Sequence, residues 1–576
     1  MNVLDAGEST REAAVLKQGR SGRAEQGDSK GSPMAGEELR QRGPTPVRVE
    51  VLQAGLDAYP NREDAVYLQL GFKFGFRIPA VGVRKAFMAR NLRSLSGLEE
   101  VAKEKIWKEV KEGRVLGPFK EPPLLNLRVS PLGIVPKKAP GEFRLIHHLS
   151  FPEGESVNDA IPEELCSVRY TSFDEAVKMI RGCGIGAELA KADVKSAFRI
   201  LPVHPNDFNL LGFYFQGNYY VDRALPMGCS VSCSTFEKFS TFIEWWIRQR
   251  AGCRDTAHYL DDFLFCGRAN SGRCQWLLDT FRELASELGL PLAEEKTEGP
   301  ATRLTFLGIE VDTVQQTSRL PQDKLANIRR VIASLRQKKK VTLKELQEAA
   351  GHLNFACKVV APGRAFVRRL CSAMSGLRRP FHKARVTKGL REDLQVWEQF
   401  FDQFNGVSFW RSEIRLKAEV QVNSDAAGAL GFGIYYRGRW CAGTWPEDWH
   451  RRGITRDLTF LEFFPIVGAL WLWAEEWSNT VVHFWCDNQA VVHIVNKLTS
   501  RSDRVMHLVR AFTLRALRFN VVVHARHVPG VDNRIADALS RQQIHRFREL
   551  APEAKDLPEA LPSEVWRIGG MKRQER

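Results

Sequence analysis

Between residue 132 and about residue 312, short apolar runs alternate with segments whose apolar positions recur every three or four residues, so strands and helices interleave as in an α+β domain. Residues 187–194 read as a strand with Asp193 at its C-terminal end, and 210–215 and 219–224 as a hairpin turning at Gln216-Gly217-Asn218. Leu225-Pro226-Met227-Gly228-Cys229-Ser230 bends the backbone and opens an amphipathic helix with Phe236, Phe239, Ile243, Trp246 and Ile247 on one face. A helix is expected over 98–111, and 324–374 is largely helical, with a basic cluster at Arg336, Lys338, Lys339 and Lys340. From 419 to about 543 a second α/β pattern runs three strands, a helix, a strand and helices. Residues 1–45 are rich in Gly, Ser, Arg and Glu and poor in bulky apolar side chains, so a disordered tail is expected there.

Length and charge narrow the class. A chain of 576 residues with 44% apolar content exceeds one hydrophobic core and predicts a multidomain protein. Its 84 Lys and Arg against 68 Asp and Glu leave a net charge of +16, which suits a polyanionic partner, nucleic acid before membrane. The eleven cysteines show no CxxC pair and no zinc spacing, which fits a reducing intracellular compartment. The first twenty residues mix both charge signs without an apolar stretch, so no signal peptide is expected, and no apolar run is long enough to predict a membrane span.

The carboxylates carry the chemistry. Asp261 and Asp262 stand between the strand-like flanks His258-Tyr259-Leu260 and Phe263-Leu264-Phe265, so a tight hairpin tip is expected to present both. Such a pair among apolar flanks is costly unless a cation offsets the repulsion. Nucleotidyl transfer uses two divalent metals about 3.5–4 Å apart and needs hard oxygen ligands that converge. An Asp-Asp hairpin turn alone is ordinary, and Asp193 at a strand end supplies the third carboxylate that changes its meaning. In residues 135–145, Lys137 and Arg144 are spaced for a hairpin turning at Pro140-Gly141 with both cations facing one anion. Four more carboxylates sit at element ends in the C-terminal pattern: Asp425 after the strand 420–424, Glu462 in the helix 458–477, Asp487 directly after the strand 481–486, and Asp537 early in the last helix. Hydrolysis of an RNA strand by two metals demands such a cluster around a water nucleophile.

In motif order, residues 120–315 resemble the reverse transcriptase family, and 418–543 resemble ribonuclease H. The resemblance implies a right-hand polymerase followed by an α/β ribonuclease H-like domain: an N-terminal extension over 46–120, fingers and palm over 121–315, a helical thumb or connection over 316–416, the ribonuclease H-like domain over 417–545 and a C-terminal tail over 546–576. It implies that Asp193, Asp261 and Asp262 bind metal with the Val194 carbonyl, that Phe198 blocks a ribose 2′-hydroxyl, and that Met227 and Gly228 line the nucleotide pocket. Lys137 and Arg144 would hold the triphosphate, Lys296 would donate a proton to pyrophosphate, and 304–308 would be the primer grip. Asp425, Glu462, Asp487 and Asp537 would be the second metal set, with His527 assisting product release. Mg2+, or Mn2+ in its place, is the implied cofactor at two ions per site, and the implied partners are RNA template, DNA primer, RNA–DNA hybrid and dNTPs, with no membrane. Residues 71–79, 145–150 and 349–355 resemble DIRS-like retrotransposons in particular, with gypsy-like elements and pararetroviruses as near relatives. Such elements also encode a recombinase, which another chain is expected to supply. Where many reverse transcriptases place Asp and Arg, this chain has His148 and Ser150. The alternative is a retroelement remnant that only binds nucleic acid. His147 and His148, adjacent on a strand, face opposite sides and are not expected to share a metal.

Overall fold

The computed structural model describes residues 33–137, 141–404, 407–409 and 420–570. They form two compact units, the first running up to Met179 and including Ala190–Gly267 and Ser271–Pro300, the second comprising Ile180–Leu189, Arg268–Asn270 and the chain from Ala301. The architecture is a multidomain α+β fold with several separate sheets, the last of them five-stranded and mixed. The Pro140 turn and residues 1–32 of the expected tail lie outside the described residues.

In the first unit, helices α1 (Val49–Asp57) and α2 (Arg62–Phe74) precede α3 (Glu99–Lys111) and strand β1 (Val115–Phe119). Strands β2 (Leu132–Pro136) and β3 (Phe143–His147) form an antiparallel hairpin in which Val135 faces Arg144. Next come β4 (Glu188–Asp193), the hairpin β5 (Gly212–Phe215) and β6 (Asn218–Asp222), and the long helix α4 (Ser230–Ala251). The hairpin β7 (Thr256–Tyr259) and β8 (Asp262–Gly267), helix α5 (Arg273–Leu288) and strand β9 (Glu298–Ala301) complete the palm, whose sheet order is β9-β4-β8-β7. On α4, Phe236, Phe239, Ile243 and Ile247 are buried, as the apolar periodicity predicts, and Phe239 meets Phe72 of α2 at 4.9 Å between ring centroids.

The folded chain begins earlier than composition suggests. Residues 33–38 form a helical turn, the Gly43 N–H donates to the Val203 carbonyl at 3.2 Å, and the Thr45 hydroxyl donates to the Ile200 carbonyl at 2.7 Å. These hydrogen bonds and the packing of Leu39 on the core hold this stretch, and neither leaves a hydrophobic period for a sequence search to find.

The second unit opens with the hairpin β10 (Arg303–Phe306) and β11 (Ile309–Asp312), which turns at Leu307 and Gly308 with φ of 47° and 74°. Strand β12 (Thr317–Arg319) and helices α6 (Gln322–Gln337), α7 (Leu343–Ala356) and α8 (Lys388–Phe404) follow. A capping box between Thr342 and Glu345 starts α7. The C-terminal α/β part comprises β13 (Val420–Ala427), β14 (Gly431–Tyr436), β15 (Arg439–Thr444), α9 (Leu458–Trp473), β16 (Val481–Cys486), α10 (Gln489–Lys497), α11 (Asp503–Arg518), β17 (Val522–His527) and α12 (Arg534–Ser540). Its sheet order is β15-β14-β13-β16-β17, with the first three strands antiparallel and the last three parallel. Strand β17 is absent from the sequence reading because half of its residues are exposed and its polar positions blur the alternation.

Residues 546–576 are likewise not a simple tail as far as residue 570. Helices α13 (Ile544–Leu550) and α14 (Ser563–Ile568) pack on the domain, with Phe547 and Val565 fully buried. The N–H groups of Lys555 and Glu559 donate to the carbonyls of Gly438 and Trp440, each at 2.8 Å. All eleven cysteines are free, and among the described residues no helix is long and apolar enough to cross a membrane.

A buried ion cluster joins α8 to α11. The Asp393 side chain is 2% exposed and sits 2.8 Å from Arg369 Nη1 and 3.0 Å from Arg510 Nε. Removing the carboxylate strands Arg510 in a low-dielectric setting, so Asp393→Ala is expected to destabilise this unit by about 3–5 kcal/mol, read as a lowered melting transition in calorimetry. A change within about 0.5 kcal/mol would mean that the cluster is dispensable.

Candidate functional site

Strand β4 ends on Asp193, which is buried. In the neighbouring hairpin Tyr259 pairs with Asp262, so Leu260 and Asp261 form the two-residue turn and Asp262 opens the returning strand. The turn therefore holds only one of the two aspartates expected at the tip. The Val194 N–H donates to the Asp261 carbonyl at 3.0 Å, tying the end of β4 to the turn. Lys296 Nζ donates to Asp193 Oδ1 at 2.9 Å, which places in the cluster a residue that reads as ordinary surface apart from its family resemblance.

The electrostatics of this group suit a bound cation. Burial, with Asp261 and Asp193 close by, pushes the Asp262 carboxyl up to about 6. Burial and Asp193 also raise Asp261, against the opposing pull of Lys296 and Arg144. The hydrogen bond to Asp193 raises Lys296 in turn. Hard oxygen donors crowded beyond what nearby cations neutralise fit a divalent ion.

Around the carboxylates, Ser196 at φ 60° starts the turn Ala197–Ile200, and Phe198 lies half-buried against Phe236 at 5.8 Å. Val194 is buried and bridges to Leu292. Gly228 has φ 113°, and a Cβ there would fall 2.5 Å from the His147 carbonyl, so only glycine fits. Met227 is exposed beside it. Asn158 clamps this bend, donating to the Gly228 carbonyl at 2.7 Å and accepting from the Ser230 N–H at 2.9 Å. Nothing local in the sequence marks Asn158, because its partners lie some seventy residues away. Lys137 and Arg144 line one cavity of about 240 Å³ together with Met227, and Lys137 is bonded to Glu142 at 3.0 Å. His147 is buried, 3.0 Å from Asp222 and 3.1 Å from the Gly212 carbonyl, whereas His148 lies near Phe151. The two histidines do face apart.

In the second unit Asp425 lies within β13 rather than after it, paired in register with Gly433. Its carboxylate accepts from the Ser540 hydroxyl. Burial, then Asp487 and Asp537, push Asp425 up to about 6. Glu462 on α9 is pushed up to about 9 by burial and by Asp425 and Asp487, and its Oε2 is buried without a hydrogen-bond partner. Ligand atoms of Glu462, Asp487 and Cys486 lie within 4.8 Å of one another. Burial and Glu462 hold the Cys486 thiol protonated, so the oxygens are the donors suited to a hard cation. The orphaned Glu462 oxygen and the raised carboxyls fit such an ion. Asp537 has two arginine partners, Arg541 Nε at 2.6 Å and Arg546 Nη1 at 2.9 Å. His527 Nε2 contacts the Asp487 carbonyl at 3.1 Å.

A family model described as reverse transcriptase (RNA-dependent DNA polymerase) matches residues 135–311, the segment that carries Asp193, Asp261 and Asp262. That segment is similar to reverse transcriptase domains. Protein P of duck hepatitis B virus (strain China) is 28% identical over 172 residues, covering 30% of this chain and 21% of that protein. The Transposon Tf2-7 polyprotein of Schizosaccharomyces pombe is 20% identical over 440 residues, covering 75% of this chain and 30% of the polyprotein. The chain thus spans under a third of either relative. A solved foamy viral protease-reverse transcriptase in complex with double-stranded DNA aligns at 15% identity and a TM-score of 0.47, covering 86% of this chain and 84% of that one.

Sequence reasoning also missed a charged group beneath the hairpin. His258 is buried between Glu244, bonded to its Nδ1, and Glu237, whose Oε1 lies 3.2 Å from its Nε2. The hydrogen bonds and charges of the two glutamates outweigh burial and raise the imidazole from 6.5 to about 9. Arg248 pairs with Glu244 on the far side, and Tyr59 senses the same carboxylate. A raised folded-state value means that the imidazolium contributes fully below about pH 6.5 and that its contribution is lost as pH rises through about 9. Thermal melting followed from pH 6.5 to about 9.5 is expected to fall more steeply for the unmodified chain than for His258→Gln. Parallel curves would contradict a charged His258.

Proposed function

We propose that this chain is a retroelement reverse transcriptase that copies RNA and DNA templates into DNA and cleaves the RNA strand of RNA–DNA hybrids. The observation that carries the proposal is the convergence of Asp193, Asp261 and Asp262 at one end of the palm sheet, within the segment that matches the reverse transcriptase family. The cluster of Glu462, Asp425 and Asp487 in the second unit, with Glu462 Oε2 buried without a hydrogen-bond partner, supports the nuclease half.

Asp193, Asp261 and Asp262, with the Val194 carbonyl, would hold divalent ions, Mg2+ or Mn2+, two at this site. Such ions, when bound, supply Lewis-acid activation of the primer 3′-hydroxyl and neutralise charge on the triphosphate. Lys137 and Arg144 bind the triphosphate oxygens, which requires Lys137 to exchange its Glu142 partner for phosphate. Phe198 closes the space beside the sugar against a 2′-hydroxyl, and Met227 and Gly228 form the floor on which the base and sugar rest. Lys296 carries at Nζ the proton that the departing pyrophosphate takes up. In the second site Asp425, Glu462, Asp487 and Asp537 would hold the ions that hybrid cleavage uses, and His527 assists release of the cleaved strand. Copying of a retroelement template suits an intracellular setting, and the resemblance of residues 71–79, 145–150 and 349–355 supports a position beside DIRS-like elements.

Primer extension on an RNA template with Mg2+ tests the first half. The unmodified chain is expected to incorporate dNTPs and Asp261→Asn to fall to background, whereas template binding without incorporation would leave a nucleic-acid-binding remnant. Asp487→Asn is expected to abolish cleavage of an RNA–DNA hybrid while sparing primer extension. Phe198→Ala is expected to raise ribonucleotide incorporation several-fold, and unchanged sugar selection would remove that role.

A further inference from the structure

The turn that carries Asp261 is built on an unfavourable residue. Leu260 adopts φ 53° at the first position of a two-residue hairpin turn, where glycine is the usual occupant because a Cβ is strained in the left-handed region. Something outside the turn must hold it there: the Val194 N–H bonds the Asp261 carbonyl from the end of β4, and the contact to Leu260 itself comes from one face of α4. Glu237 accepts the Leu260 N–H through Oε2 at 3.3 Å, while its Oε1 lies 3.2 Å from His258 Nε2. Glu244 holds the other ring nitrogen of His258 and pairs with Arg248. Arg248 Nη2 donates to the Thr256 carbonyl at 2.7 Å. One helix thus grips β7 at its first residue, at its third and just past its last. The His258 ring also lies on Phe263 of β8, at 5.6 Å and 27° between ring planes, so the returning strand is engaged too. Two carboxylates and an imidazolium are costly to bury, and apolar packing would fasten a strand to a helix more cheaply. What apolar packing cannot supply is a directional acceptor for the N–H of a left-handed residue.

We infer that Glu237, with His258 and Glu244 orienting it, is a positioning residue of the polymerase site: it fixes the Leu260 turn and thereby sets where Asp261 and Asp262 stand. The inference rests on the polymerase reading above.

The test compares Glu237→Ala, which removes the acceptor, with Glu237→Gln, whose amide oxygen can still accept the Leu260 N–H. Both are made in the full chain, and hybrid cleavage by the same preparation reports on intact folding. Glu237→Ala is expected to lower kcat for nucleotide addition by about 10- to 100-fold, with KM for template-primer unchanged within about twofold, and Glu237→Gln to recover most of the loss. Hydrogen exchange over residues 256–266 is expected to quicken in Glu237→Ala and not in Glu237→Gln. Unchanged kcat and exchange in Glu237→Ala would overturn the inference. So would equal losses in both variants, or a loss matched by hybrid cleavage and melting temperature, which would indicate damage to the fold. If the unmodified chain incorporates no nucleotide, the function proposed above fails, while the exchange comparison still decides whether Glu237 holds the turn.

Discussion

Carboxylates repel one another, and taking them out of water makes the repulsion stronger. That conflict organises both halves of this molecule. In the palm, Asp193 is buried and Asp262 keeps its proton up to about pH 6. On the mixed sheet, Glu462 keeps its proton to about pH 9. A sequence free to relax would replace such groups with apolar side chains at no loss of stability. Both clusters stand on rigid strands and helices, and crowded hard oxygen donors of this kind suit a bound cation.

Rigid elements surround each cluster for the same reason. Asp193 stands at the last residue of a strand bonded on both sides, and the Val194 N–H reaches across to the Asp261 carbonyl, so the two carboxylate-bearing segments cannot drift apart independently. Asp425 lies in the central strand of its sheet, and Asp487 follows the strand next to it. Asn533 reinforces that centre by donating to the Ser424 carbonyl at 3.0 Å. The cost of repulsion is thus met by neighbouring backbone rather than by flexible loops.

How much of this could be read beforehand depended on the range of the interactions. Strands such as Val481–Cys486 and Gly431–Tyr436 were legible because a short apolar run bounded by turn residues is a local signal, and Asp487 followed from the end of one. The apolar face of α4 was legible from its 3.6-residue period. Asn158, Glu237 and Glu244 were not, since each acts on segments distant in the chain, and a glutamate on a helix face looks like ordinary solvated surface. Residues 33–45 and 544–570 were missed for a related reason: backbone hydrogen bonds and a few isolated apolar residues hold them, with no periodicity to betray an element.

The stretch at Lys555 and Glu559 has a further significance. Strand β15 is the last strand of its sheet, and a bare outer strand is a template on which another polypeptide can add itself. By bonding the Gly438 and Trp440 carbonyls, with Arg439 paired to Glu559 and the Trp440 indole N–H donating to the Lys555 carbonyl at 2.7 Å, the segment takes up that outer rim. Its worth therefore lies in the covering of part of an edge on which a strand of another molecule could otherwise be added.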